Sequence, residues 1–369
     1  LTRIATVVVP VTIVALAVLV ATVAGPLGST RDHPATPPTP AATRPADARV
    51  VPVASDARHL VYGRQASVED PTPQRQERDL LLATDASGRV TPLPGFRGDR
   101  SSGFSLVGDS LVETAGWTRW TERRVRYRNL STGATARVAL KTTDSLASAA
   151  PDGWVVRRIG QPRPDAESSL VRVRLDGSEV ELGVPFPDAI AGGVGYEIQV
   201  GDSGVIAYPK QIDDLCASSE VKFQSWSDGG TWRTVFVGAP RSCISCAAAA
   251  ANSVACRVLQ PDEGLVTIPL RGGSPRFVTD DQPERCQTVD FASWDDGLVA
   301  IETSDEGPCT EGLVYRFGQD GEVAISTTRY GTSGSVRIGL GRIIVTDGRQ
   351  HAVFGLDGAT LDPRTLVRA

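Results

Sequence analysis

From Ser55 onward one kind of unit recurs seven times, and that repeat constrains the fold more than any other feature of the chain. Each unit opens with a turn and a short apolar run. These are SDARHLVYG from Ser55, GDSLVETA from Gly108, APDGWVVRR from Ala150, GDSGVIAYP from Gly201, ANSVACRVL from Ala251, WDDGLVAIE from Trp294 and GLGRIIVTD from Gly339. Each closes with a hairpin pattern around a glycine-containing turn: LLLATDASGRVTPL, VRYRNLSTGATARVAL, LVRVRLDGSEVEL, KFQSWSDGGTWRTVFV, LVTIPLRGGSPRFV, LVYRFGQDGEVAI and HAVFGLDGATL. No helical period is sustained, and short β-rich runs broken by Asp, Gly and Asn turns read as all-β. Unit starts fall roughly 40–50 residues apart, the length of a four-stranded propeller blade. The pattern predicts an all-β fold over residues 48–369, a β-propeller of seven four-stranded blades. Two packed sandwich domains are the alternative, and a single period across the whole segment speaks against them.

The segments Pro151-Asp152-Gly153-Trp154-Val155-Val156 and Trp294-Asp295-Asp296-Gly297-Leu298-Val299 resemble the repeat of bacterial TolB-like, WD-repeat-related propellers, an Asp-Gly turn leading into an apolar strand. The resemblance implies a propeller and little about chemistry. Ser225 to Trp232, SWSDGGTW, is similar to the Asp box of sialidase-type propellers, with Ser227 where the aspartate belongs. The Asp box braces a hairpin turn, so the resemblance implies a structural role and brings no catalytic residues with it.

The amino-terminal part is different in kind. Ile4 to Leu27 carries no charge over 24 residues, against the ~20 needed to cross a bilayer. Arg3 precedes it, which favours a cytoplasmic N-terminus and an exported remainder. Residues 1–27 are expected to form a transmembrane anchor; the rival reading is a signal peptide cleaved near Thr22-Val23-Ala24. Residues 28–47 are rich in Pro, Thr and Ala and are expected to form an extended stalk, since proline fixes φ and removes a backbone donor.

Six cysteines, Cys216, Cys243, Cys246, Cys256, Cys286 and Cys309, form an even set, as disulfides in an exported domain require. Cys246 and Cys256 flank the turn between the first two strands of a blade and are placed to pair across it. The loop and strand positions of the others suggest Cys216–Cys243 and Cys286–Cys309. Cys243-Ile-Ser-Cys246 lacks the strand-then-helix context of a redox motif.

Tight turns such as Asp152-Gly153, Asp176-Gly177, Asp320-Gly321 and Asp357-Gly358 fall between the first and second or the third and fourth strands. The long connections fall between the second and third: from Arg64, Ala115, Gly160, Pro209 and Thr303. In a propeller these leave from one face, and long loops on a rigid scaffold are where binding tends to reside. The strongest candidate there is Trp117, Arg119, Trp120 and Arg123, where indole and guanidinium groups suit a sugar ring or an acidic partner. Arg124, Arg126 and Arg128 alternate along the next strand, and the plainer reading puts them on the solvated face of an outer strand.

A net charge of −5 argues against nucleic acid, which requires a basic face. The acidic pairs Asp213-Asp214, Asp280-Asp281 and Asp305-Glu306 match no calcium loop. His33, His59 and His351 stand near no nucleophile motif. No cofactor or metal is expected. The sequence therefore points to an anchored, extracytoplasmic binding module for an envelope protein or cell-wall glycan. The alternative is a glycan hydrolase or lyase with its site at the central channel.

Overall fold

The computed structural model describes residues 49–65, 80–96, 103–114, 124–159, 168–187, 195–210, 220–227, 230–239, 242–247, 249–259, 264–278, 287–295, 297–303, 312–318, 321–330, 334–346, 351–362 and 366. The expected anchor and stalk lie outside them, as do all five long connections between second and third strands. Among the described residues no helix is long and apolar enough to cross a membrane.

The described strands form seven antiparallel sheets of four, each from four consecutive strands of chain. Blade 1 holds β1 (Arg49–Ser55), β2 (His59–Gln65), β3 (Leu80–Asp85) and β4 (Val90–Pro92). Blade 2 follows with β5 (Gly103–Val107), β6 (Ser110–Thr114), β7 (Arg124–Asn129) and β8 (Thr135–Ala139). In blade 3 are β9 (Asp144–Ala150), β10 (Gly153–Ile159), β11 (Ser168–Arg174) and β12 (Glu179–Gly183). Blade 4 is β13 (Tyr196–Val200), β14 (Gly204–Pro209), β15 (Glu220–Ser225) and β16 (Arg233–Val237). Blade 5 comprises β17 (Cys243–Cys246), β18 (Ser253–Leu259), β19 (Gly264–Pro269) and β20 (Arg276–Phe277). Blade 6 runs β21 (Gln287–Trp294), β22 (Gly297–Thr303), β23 (Gly312–Gly318) and β24 (Gly321–Tyr330). The last blade has β25 (Ser335–Gly339), β26 (Arg342–Thr346), β27 (His351–Gly355) and β28 (Thr360–Leu361). First strands contact one another from β1 through β5 and β9 to β13 and from β21 to β25; blades 4 and 5 meet through β14 and β17, blades 5 and 6 through β18 and β21, and β25 meets β1. The chain is a seven-bladed β-propeller, as the repeat predicts.

Burial explains the repeat. The second strand of each blade is covered on both faces by neighbouring blades, so its residues need no alternation; all six residues of β14 are buried. Fourth strands lie at the rim and read mostly exposed, as in β8 and β20. Apolar clusters fill the junctions between blades. One spans blades 2 to 4 through Tyr127, Trp154, Leu170 and Tyr196, and Tyr127 and Trp154 sit with ring centroids 6.2 Å apart. Others join blades 1 and 2 through Val61 and Leu111, blades 4 and 5 through Ile206 and Val254, blades 5 and 6 through Ala255 and Leu298, and blades 6 and 7 through Ile301 and Val336.

The Asp-Gly signature has a steric cause. A Cβ on Gly153, Gly204 or Gly297 would sit inside contact distance of a carbonyl of its own third strand, at Val173, Gln224 or Phe317. Where the equivalent residue is Ser110 or Ser253, its hydroxyl instead reaches the next blade, at the carbonyl of Pro151 (2.9 Å) or Trp294 (3.5 Å).

Among the described residues the ring closes without a shared strand. Leu60 and Tyr62 of blade 1 pack against Ile344 and Val353 of blade 7 and against Leu366. The turn Leu340-Gly341 has positive φ at both residues, 56° and 66°, the geometry of a tight type I′ hairpin turn. Leu340 is the one non-glycine residue with positive φ among those described.

The SWSDGGTW segment forms the third-to-fourth strand hairpin of blade 4, and its tryptophans are clamps. Trp226 Nε1 donates to the Gly201 carbonyl (3.2 Å) and Trp232 Nε1 to the Leu182 carbonyl of blade 3 (2.7 Å). The Arg172 guanidinium lies 4.4 Å over the Trp226 ring.

Candidate site at the channel mouth

The first strands enclose a cavity of about 610 Å³ on the axis, bordered by first-to-second strand turns of blades 1, 2, 4, 5 and 6. Its wall is largely apolar, with Val107, Val200, Phe291, Trp294 and Ile338, and includes Gln199, Asp290 and Arg337. Gln199, Asp290 and Arg337 are tied across blade junctions. Gln199 Nε2 donates to the Cys246 carbonyl (3.2 Å). Asp290 Oδ2 accepts from the Val336 amide (2.9 Å) and from Arg337 Nη1 (3.0 Å). Behind this wall the Tyr208 hydroxyl donates to Glu197 Oε2 at 3.1 Å. Burial chiefly, with the Glu197 charge adding, pushes the phenol up to about 12, so it stays protonated near neutral pH and is no ready nucleophile.

The turn aspartates gather at the mouth. Asp56 Oδ1 accepts the amides of Arg58 and His59, both at 2.7 Å. Asp295 accepts from the Asn252 amide (3.0 Å) and side chain (3.1 Å), joining blades 5 and 6. His59, buried, lies between Asp56 and Asp109, each ring nitrogen 3.5 Å from a carboxylate oxygen. Burial alone would lower the pKa of this imidazole. Asp56, then the charges of Asp109 and Asp85, outweigh it and hold the pKa above the ordinary value. Asp202 has no such assignment. Asp202 is exposed, yet the turns around it desolvate its carboxyl in part and raise its pKa; Arg58 pulls it down, and the charges of Asp56, Asp109 and Asp295 push it further up. Among the described residues no group of three or more His, Cys, Asp or Glu is placed to hold a metal ion.

The residues singled out from sequence divide unevenly. Trp117, Arg119, Trp120 and Arg123 lie outside the described residues, as do Cys216, Cys286 and Cys309. Cys246 and Cys256 are opposite each other in the β17–β18 ladder and are disulfide-bonded. Cys243 is also disulfide-bonded, to a partner outside the described residues. Arg124, Arg126 and Arg128 stand on a third strand, not an outermost one, and Arg126 reaches toward blade 1. Its Nη1 donates to the Gly95 carbonyl of blade 1 and lies 3.4 Å from Glu113 Oε2. Sequence reasoning missed the aspartates at the mouth: they are visible as turn residues, but only ring closure brings them together.

No family model matches the chain, and no curated protein matches it in sequence. Solved structures share its fold. A prolyl endopeptidase superposes with a TM-score of 0.56 at 10% identity, over 83% of this chain and 48% of that one. An oligogalacturonate lyase in complex with manganese gives 0.51 at 15%, over 80% and 85%. The β-propeller domain of the trilobed protease from Pyrococcus furiosus, described as having an open velcro topology, gives 0.50 at 10%, over 73% and 78%. This chain spans about half the length of the prolyl endopeptidase.

Proposed function

We propose that the chain is a membrane-anchored extracytoplasmic binding module, akin to TolB-like propellers, that holds an envelope protein or cell-wall glycan on its long-loop rim. The observation carrying this reading is the asymmetry of the connections. First-to-second strand turns at the channel mouth are short, as between Val107 and Ser110, whereas Gln65 to Leu80, Thr114 to Arg124 and Pro209 to Glu220 are long. All the long ones leave from the strand ends opposite the mouth. Trp117, Arg119, Trp120 and Arg123 belong to one of them and supply the stacking and charge that such a partner would meet. The test is affinity capture from solubilised envelope and from purified wall glycan, using the full chain and a Trp117→Ala/Trp120→Ala variant. Capture lost in the variant supports the reading; no capture by the wild type removes it.

A second reading, a glycan hydrolase or lyase working at the channel, is favoured by the raised carboxyl of Asp202 beside a cavity of this size. The fold neighbours include peptidases and a lyase, which suits an enzyme equally well. Turnover of wall glycan by the wild type, abolished in Asp202→Asn, would establish it over the first.

A further inference from the structure

A second concavity, about 550 Å³, lies on the outer wall between blades 1 and 2. Pro94, Gly95 and Phe96 border it on one side, and Arg126, Thr135 and Arg137 on the other. Its chemistry follows from register. Glu113, Arg126 and Arg137 are consecutive partners across β6, β7 and β8, so their side chains share one face of the sheet. That row holds one carboxylate and two guanidinium groups. Like charges directly opposed in a sheet are destabilising, and Glu113, itself buried, lies beside the nearer arginine. Arg137 is exposed, with no ion-pair partner among the described residues, and exposed Arg124 stands on the same face two residues before Arg126. No described lining residue is acidic, in a chain whose net charge is −5.

Uncompensated guanidinium groups beside a concave surface form an oxyanion site, because their forked donors fit carboxylate and phosphate geometry. We propose that this groove binds the oxyanion group of an acidic glycan, a uronate carboxylate or a phosphate. Arg137, with no ion-pair partner among the described residues, supplies the donors, Arg124 adds positive charge from the same face of β7, and Arg126 is held in place by Gly95 and Glu113. The role of the groove in partner capture rests on the binding-module reading; its affinity for an oxyanion does not.

The test is calorimetric titration of the full chain with inorganic phosphate and, separately, with glucuronate, at fixed ionic strength. Saturable binding of either anion is expected, weakened at least about tenfold by Arg137→Ala and unchanged by Arg58→Ala, which removes a guanidinium at the channel mouth. Arg137 is exposed, so an unaltered unfolding temperature will show that the variant folds. The anion that binds identifies the group. No saturable binding of either anion, or equal binding by wild type and Arg137→Ala, overturns the proposal. Anion binding without envelope capture would leave the groove standing and remove the binding-module reading; capture without anion binding would do the reverse.

Discussion

The amide of Leu340 donates to the carbonyl of Asp56 at 3.2 Å, joining the last blade to the first. Leu340 has φ of 56°, a conformation costing a residue with a Cβ roughly 1–2 kcal/mol. Its side chain packs against the cluster formed by Leu60, Tyr62, Ile344, Val353 and Leu366. Leu340→Ala keeps the backbone cost and loses the packing, so destabilisation of about 1–2 kcal/mol is expected. Leu340→Gly loses the same packing but relieves the backbone, so its urea midpoint should exceed that of the alanine variant.

Gly153 makes a sharper prediction. A Cβ there would collide with the backbone carbonyl of Val173, which cannot move without breaking the β10–β11 ladder. Gly153→Ala is expected to cost about 2–4 kcal/mol, read as a lower denaturation midpoint. Ser110→Gly, at the equivalent turn of blade 2, should cost only the lost hydroxyl contacts and some backbone entropy, about 1–2 kcal/mol.

Asp202 should be a stability liability at neutral pH. Its folded pKa lies above the ordinary value, so the unfolded chain ionises more readily and ionisation favours unfolding. Asp202→Asn removes that charge at similar volume. Its unfolding temperature should exceed the wild type's at pH 7, and the gap should narrow at pH 3, where the wild-type carboxyl is protonated in both states.

Two further groups set opposite limbs of the pH profile. His59 has a raised folded pKa, so its contribution is complete below about pH 6.5 and is lost as pH rises through the folded value. Glu179 is brought down to about 2, first by its hydrogen bond to Arg158 and then by Lys141. Arg158 also lowers Asp144 by hydrogen bonding. The contribution of these carboxylates is present above about pH 4.5 and disappears as pH falls toward 2. Thermal scans from pH 2 to 9 should show stability greatest between those limits. His59→Gln should flatten the alkaline limb, and Glu179→Gln should weaken the acid one.

Peptide mapping without reduction will report the disulfides. A Cys246–Cys256 linkage is expected from the structure, and Cys216–Cys243 and Cys286–Cys309 from the order of loops and strands. Replacing Cys246 and Cys256 together by Ala should cost about 2–3 kcal/mol, the worth of closing a short loop, since the two are 10 residues apart in sequence.

The fold was legible because burial writes itself into each unit. A second strand covered on both faces gives a continuous apolar run, and the steric limit at Gly153, Gly204 and Gly297 fixes the turn before it. Cys246 and Cys256 could be paired for the same reason, since strand order and a short turn set their register. The channel mouth was not legible. Asp56, Asp109, Asp202 and Asp295 stand in different blades, and no local pattern distinguishes Asp202 from aspartates committed to turns or neighbours. Arg126 was read as solvated because alternation reports which face of a strand a residue occupies; it is silent on the blade beside that face. Leu340 gave no signal, because its place between two glycines reads as an ordinary turn until the ring is closed.

That every blade is an uninterrupted stretch of chain has a mechanical consequence. The N-terminal strand, β1, lies at the axis and the C-terminal one, β28, at the rim of the adjoining blade. A pull entering through residue 49 therefore loads the β1–β2 ladder along its length. Among the described residues, the junction between blades 7 and 1 has no strand in common and is held by side-chain contact and the Leu340–Asp56 bond. Tension on residue 49 would therefore test this seam together with the β1–β2 ladder beside it.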